Sequence, residues 1–437
     1  MRLRLWALVL VAVLIAAACG GDDDNGDGNG NGDGGGGENT GSVSVFSAME
    51  PFEADALNAI IDEQINADAD YDAEVEASGD FEEQSQIRIE GGNPPDVIML
   101  PQPGAVLEQA EAGTAIALED LGLEISEMEE IFGEYLMSLG EFEGKHYGIP
   151  TNINLKSMIW YPKDDFDAAG YEIPTTWDEL ITLSDQIVDD GGTPWCVGLE
   201  SGGATGWPAT DWMEDIMLRT AGPDVYDQWV NHEIPFNDQS VVTAGEIFGE
   251  VMFADDYVLG GADQTPSIFF GDATGPLFED PPNCWLHRQA SFIPAFFPEG
   301  VEAGVDYDWF PFPTIDQEGM LFAGEMSAVF RDAPEVRDFI EKFAGADVQC
   351  AQGGEPRSSR ISPNIEVGPD CYANEELADA AGLLTESLAG GNARFDASDL
   401  MPPAVGQGSF WTGMVEYMQG GPDSLQGVLD QIESSWP

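Results

Sequence analysis

Apolar and polar positions alternate from Ser42 to Ala48 in SVSVFSA, the two-residue period of a strand with one buried face. In EADALNAIIDEQINAD (53–68) the apolar residues recur every three to four positions, which predicts a helix. The same two periods then trade places. YDAEVEASG (71–79) reads as a strand, FEEQSQIRIEGG (81–92) as a helix ending at glycines, and PDVIML (95–100) as a buried strand. AVLEQAEAG (105–113) adds a short helix, again stopped by glycine. Strands alternating with helices specify an α/β domain with a largely parallel sheet. Ligands of such sheets sit at the loops beyond the C-terminal ends of the strands, which marks Ser47 to Glu50 and Pro101 to Pro103. Further on, GIPTNINLKSMIWYP (148–162) is extended, and IPTTWDELITLSDQI (173–187) opens a helix with Thr176 as N-cap and Asp178 and Glu179 in its first turn.

The N-terminus obeys a different rule. Arg2 and Arg4 precede an apolar run from Leu5 to Ala18, followed by Cys19. A basic start, a short apolar core and small residues before a break describe an export signal. The run is 14 residues, short of the roughly 20 needed to span a bilayer. Ala16-Ala17-Ala18-Cys19 resembles the lipobox of bacterial lipoproteins, which implies that residues 1–18 are removed and Cys19 is acylated. Residues 20–41 are glycine, asparagine and acid, with one threonine (Thr40) and no apolar residue, so they are expected to form a flexible tether.

Charge and cysteines narrow the class. Acids outnumber bases 82 to 14, and only six of the acids lie in the tether, so the acidity belongs to the folded body. Such a body repels nucleic acid and anionic headgroups. With Cys19 assigned to lipid, four thiols remain in an exported chain, and they permit three pairings. Cys350 and Cys371 flank a polar loop; pairing them leaves Cys196 and Cys284 to close a longer one. No CxxC accompanies them and the histidines (His146, His232, His287) are scattered, so no metal site is expected.

GIPTNINLKSMIWYPKDDFDAAG followed by IPTTWDEL resembles the first lobe-to-lobe crossover of bacterial extracellular solute-binding proteins of sugar ABC importers. GEMSAVF with PEVRDFIEKFAGADVQ resembles their second crossover and following helix, and MPPAVGQGSFWTGM their late sugar-facing segment. Within the family, LFEDPPNCWLHRQASFI and RFDASDLMPPAVGQGSFW resemble the α-glucoside subgroup. The resemblance runs in order through residues 42–437. It implies a two-lobed α/β periplasmic-binding-protein-like fold of type II, with a ligand cleft between lobes joined by a hinge of three crossovers. Lobe one is expected at 42–150 and 325–368, lobe two at 151–324 and 369–437. The implied protein sits on the outer face of the cytoplasmic membrane (periplasmic in a Gram-negative source). It is a lipid-anchored monomer with no cofactor, which hands a neutral mono- or oligosaccharide to permease subunits.

A sugar has flat apolar faces ringed by hydroxyls, so its binder needs aromatic platforms and planar polar side chains. TGWPATDW offers Trp207 and Asp211, and SFWTGM offers Trp411, with the neighbouring Phe410 expected in the core. The polar candidates are Glu50, Gln102, Asn152 and Asn154 (on one face of the extended crossover), Glu279, Asp280, Arg360 and Asn364. Phe395, Asp396, Ser398 and Asp399 form a polar–aromatic loop. For each alone, a solvated or capping role is the competing reading, and for Gln102 a turn.

Two other functions stay open. Paired carboxylates would suit a secreted carbohydrate hydrolase, although no spacing singles out a pair. A non-sugar solute could be bound on the same fold. No G-x-S-x-G, G-x-x-x-x-G-K-[ST] or H-E-x-x-H motif occurs, and DADYDAE (68–74) lacks the turn glycine and final glutamate of a calcium loop.

Overall fold

The computed structural model describes residues 41–356 and 360–437. The export segment, Cys19 and the tether up to residue 40 lie outside the described residues. The chain begins β1 (Gly41–Ser47), α1 (Pro51–Gln64), β2 (Tyr71–Ala77), α2 (Phe81–Glu90), β3 (Val97–Leu100) and α3 (Pro103–Ala112), the order the periodicities predict. Gly113 at φ 68° ends α3 in the left-handed conformation that costs glycine nothing.

β1 pairs in parallel with β2 and β3, so the opening βαβ units build the expected parallel sheet. The remainder of that sheet departs from the expectation. β4 (Ile149–Leu155) leads through Lys156 and Ser157 into β5 (Met158–Pro162). Later come β6 (His287–Arg288), β7 (Tyr307–Pro311), β8 (Met320–Val329) and β9 (Ala393–Phe395). β8 runs antiparallel to both β3 and β4, and parallel to β9. The six-stranded sheet is therefore mixed. Strand β8 enters it after a long excursion of the chain, free of the crossover helix that forces neighbouring strands into parallel. β5 instead belongs to a second, antiparallel sheet between β6 and β7. The β4–β5 segment thus passes from one sheet to the other, with Lys156 at the join.

Separate clusters of buried side chains pack against the two sheets, and a further one, with Leu155, Trp160 and Phe322, joins them. Val43, Val45, Leu57, Val97, Phe339 and Phe343 pack around the first; Trp177, Trp195, Trp212, Phe248 and Tyr417 pack in a second core. Each such side chain contributes about 1.5–3 kcal/mol by leaving water. Among the later helices are α4 (Trp177–Asp189), α5 (Trp207–Ala221), α6 (Ala397–Leu400) and α7 (Trp411–Gly420). Thr176 caps α4: its hydroxyl accepts from the Glu179 amide at 3.3 Å, and the Glu179 carboxylate accepts from the Thr176 amide at 3.2 Å. Disulfides join Cys196 to Cys284 and Cys350 to Cys371, with Cα separations of 5.5 and 4.9 Å. Among the described residues no helix is long and apolar enough to cross a membrane.

Candidate functional site

The loops after β1 and β3, the β4 strand and the N-termini of α5 and α7 converge on one cavity of about 420 Å³. That volume suits a small ligand. β1 delivers Glu50 and β3 delivers Gln102, both lining it, as strand C-termini do in sheets of this kind. Along β4, Asn152 and Asn154 share a face by two-residue alternation, and Lys156 continues it. The amide oxygens of Asn152 and Asn154 are buried without a hydrogen-bond partner. Trp207 stands at the first position of α5, edge-on to Phe270 at 5.2 Å, and Trp411 at the first position of α7. Gly206, at φ 115°, brings these two helix starts together; a Cβ there would lie 2.3 Å from the Trp411 carbonyl oxygen.

Beneath the cavity lies a buried charge network. Lys156 Nζ donates to Asp211 at 2.8 Å and to Asp396 at 2.7 Å, and sits 4.9 Å from the centre of the Trp207 ring. Arg288 bridges Asp211 at 2.9 Å and Asp215 at 2.6 Å, and Arg219 pairs with Asp215. Glu214 accepts from the backbone amides of Ala397 and Ser398, both at 3.1 Å, which fixes the start of α6. Burial alone would raise the Asp396 carboxyl; Lys156 beside it and its hydrogen bonds hold it down at about 2. Burial lifts Glu214 and Asp399 well above the ordinary carboxylate range, with the charge on Asp396 adding to both. The oxygens of Asp211, Glu214 and Asp396 lie within 4.8 Å of one another, a metal-like spacing, but the Lys156 ammonium already bridges two of them.

Of the residues singled out from the sequence, Glu50, Gln102, Asn152, Asn154, Trp207, Arg360, Asp396, Asp399 and Trp411 line the cavity. Arg360 does so while paired with Glu325 at 2.5 Å. The rest fall elsewhere. Asp211 is fully buried, one helical turn after Trp207, and faces the cations below the floor. Ser398 lies behind the wall: its hydroxyl donates to Asp396 at 2.8 Å and accepts from Trp411 Nε1 at 3.2 Å. Phe395 packs in the core against Phe322, and Phe410 against Trp229 and Phe236. Asn364 ties down its own loop, donating to the Ala344 carbonyl at 3.1 Å and accepting from the Glu366 amide at 2.9 Å. Glu279 and Asp280 are exposed away from the cavity, Glu279 accepting from Asn283 at 2.5 Å. Exposed acids in a loop meet their needs in water and with near neighbours, which explains why acidity there was a poor guide.

Sequence reading missed Lys156, Glu53, Glu200, Glu325 and the wall of Phe269, Phe270, Phe292 and Phe296. For Lys156 a signal existed, since it continues the alternation of Asn152 and Asn154. Glu53 looked like one more helix acid; it is buried, accepts from the Glu50 amide at 2.9 Å, and burial pushes its carboxyl up to about 7.

A cavity with aromatic walls, hydrogen-bonding planar groups and strands passing between two sheets defines a two-lobed solute-binding protein with its cleft at the hinge. The chain belongs to the family of bacterial extracellular solute-binding proteins, whose model matches residues 53–349. It is 43% identical over 80% of its length to the osmoprotective compounds-binding protein GgtB of Synechocystis sp., covering 82% of that protein. Identity to the alpha-glucosides-binding periplasmic protein AglE of Rhizobium meliloti is 40%, over 82% of this chain and 79% of that one. Among solved structures, the bacterial solute receptor AcbH, described for its preference for β-D-galactopyranose, superposes with a TM-score of 0.75. At 16% identity, over 90% of this chain and 98% of that one, it shares the fold.

Proposed function

We propose that this chain is the lipid-anchored receptor of an ABC importer. It captures a neutral sugar, an α-glucoside or disaccharide such as maltose or trehalose, and presents it to the permease. The observation that carries this reading is the meeting of Trp207 and Trp411 with Asp396, Asp399, Arg360 and Asn152 around one cavity. Rings stack on a pyranose face while the planar groups select the hydroxyl pattern, each mismatch leaving a buried group unpaired at about 1–3 kcal/mol. Lobe one comprises 42–150 and 325–368 and lobe two 151–324 and 369–437. In support of a hinge at residue 325, the β8–β4 register breaks between Glu325 and Met326. Closure creates the surface the permease reads, the protein acts as a monomer by binding without turnover, and acylated Cys19 holds it at the membrane.

The name of the 43%-identical relative favours a second ligand class, small osmoprotective solutes. A thermal-shift panel of neutral mono-, di- and trisaccharides together with osmoprotective polyol glycosides tests both. Ligand at about 100 times its Kd adds about 2.7 kcal/mol of stability, a plain rise in Tm. No shift with any neutral sugar overturns the sugar reading, and a shift confined to the osmoprotectants selects the second. Release of free glucose from a bound disaccharide would overturn binding without turnover.

A further inference from the structure

Charge is unevenly matched inside the cavity. Its two lining cations are both engaged, Lys156 with Asp211 and Asp396, Arg360 with Glu325. Glu50 and Glu200 also line it, and among the described residues neither is within ion-pairing distance of a base. Independently of charge, the amide oxygens of Asn152 and Asn154 have no hydrogen-bond partner, and Asn152 is only 4% exposed. Buried acceptors left open in this way call for a donor from outside the chain.

Glu50, at the start of α1, is raised first by burial and next by the charge of Glu200, which approaches from a different part of the chain. Glu200 Oε1 accepts from the Gly202 amide at 2.9 Å. Gly202, at φ 54°, abuts the turn after β2 so closely that a Cβ would sit 3.0 Å from the Gly79 carbonyl oxygen. The two turns meet at the exposed rim of the cavity beside Glu200, and Phe296, which lines the cavity, packs on Phe52 at 5.4 Å. Two carboxylates lining one cavity with no base beside either repel each other, and a cationic donor reaching both converts that repulsion into charge-assisted hydrogen bonds.

We propose that this cavity prefers a sugar bearing a protonated amino group to the neutral parent sugar, the ammonium lying between Glu50 and Glu200. The inference rests on the sugar-binding reading and names the substituent that the same site selects. Among the described residues nothing in the cavity favours an anionic sugar, since Lys156 and Arg360 are already satisfied by carboxylates.

Calorimetry on the full chain at about neutral pH, in 0.5 M salt on the order of a 4 Å Debye length, tests it with matched sugars: glucose, glucosamine and N-acetylglucosamine, then maltose and a 2-amino derivative. The amino sugars are expected to bind about tenfold tighter than their neutral parents. N-acetylation, which keeps the substituent and removes the charge, is expected to abolish the gain. In Glu50→Gln and Glu200→Gln the ratio of amino to neutral affinity is expected to fall toward one, whatever happens to the affinities themselves. Neutral sugars binding as tightly as their amino partners would overturn this inference and leave the sugar reading intact. A ratio unchanged in both variants overturns it too, because the preference would then come from the overall charge of −68. Failure of every sugar, charged or neutral, overturns the sugar reading itself.

Discussion

Lys156 lies 6% exposed between Asp211 and Asp396, so its removal strands two buried carboxylates at once. Breaking one side of a buried pair costs about 3–5 kcal/mol. Lys156→Met is therefore expected to lower the unfolding free energy by about that much, measured by urea denaturation, whereas Lys156→Arg keeps the charge and recovers part of the loss. The aromatic residues answer a different question. Trp411 donates from Nε1 to Ser398 and lines the cavity, and Trp207 rests against Phe270 with one edge on the cavity. Trp207→Ala and Trp411→Ala are expected to weaken sugar binding at least about tenfold while the protein stays folded, as a lost stacking face of roughly 1.5 kcal/mol implies. Unchanged affinity in both, read by calorimetry beside a native circular-dichroism spectrum, would remove them as platforms.

At the scale of elements, the two disulfides differ in exposure. Cys196 and Cys284 are buried at 2% and 0%, in a small cluster with Leu277, whereas Cys350 and Cys371 are each partly exposed. Thiolate attack requires access, so limited dithiothreitol is expected to open Cys350–Cys371 first, as peptide mapping after alkylation would show. What could be read in the sequence follows the same local logic. β1, β2 and the first helices were legible because each buries one face and so writes its own period, whereas β3, buried throughout, was legible as a short apolar run between turn residues. β8 was not: all ten of its residues are buried, both faces alike, Glu325 and Ser327 included, and a strand with no exposed face carries no phase that could announce its antiparallel partners. The site divides the same way. Asn152 and Asn154 follow from alternation within one strand, and Trp207 and Trp411 from the family resemblance. The pairing of Lys156 with Asp396 joins residues 240 apart, and no local pattern encodes it. The acids misled for the converse reason, since Glu279, Asp280 and Asp396 look alike in composition, and only tertiary burial separates them.

For the whole molecule, proton linkage and net charge act in the same direction. Burial raises Glu53 to about 7 and lifts Glu214 and Asp399 well above the usual range, so these groups keep their protons in the folded state at pH values where the unfolded chain has lost them. The stability they contribute is complete below the unfolded carboxylate value of about 4.3 and is lost as pH rises through the folded values, for Glu53 through about 7. Asp396, held at about 2, has the opposite sign: its contribution is present above about 4 and disappears as pH falls toward 2. Between these windows both contributions survive. Above them a further term enters, because a chain with 82 acids and 14 bases repels itself once its carboxylates are ionised. The melting temperature is accordingly expected to peak on the acidic side of neutrality, at about pH 4–5, and to fall steadily toward pH 8. Salt separates the two causes. Raising ionic strength to about 1 M shortens the Debye length to about 3 Å, which screens the surface repulsion and leaves the buried groups nearly untouched. Added salt should therefore flatten the decline without abolishing it, and in Glu53→Gln the remaining slope should shrink further. A melting temperature that rises from pH 5 to pH 8 at both ionic strengths would show that these carboxyls are ionised in the folded protein, and that the network beneath the cavity holds more compensating charge than Lys156, Arg219 and Arg288 supply.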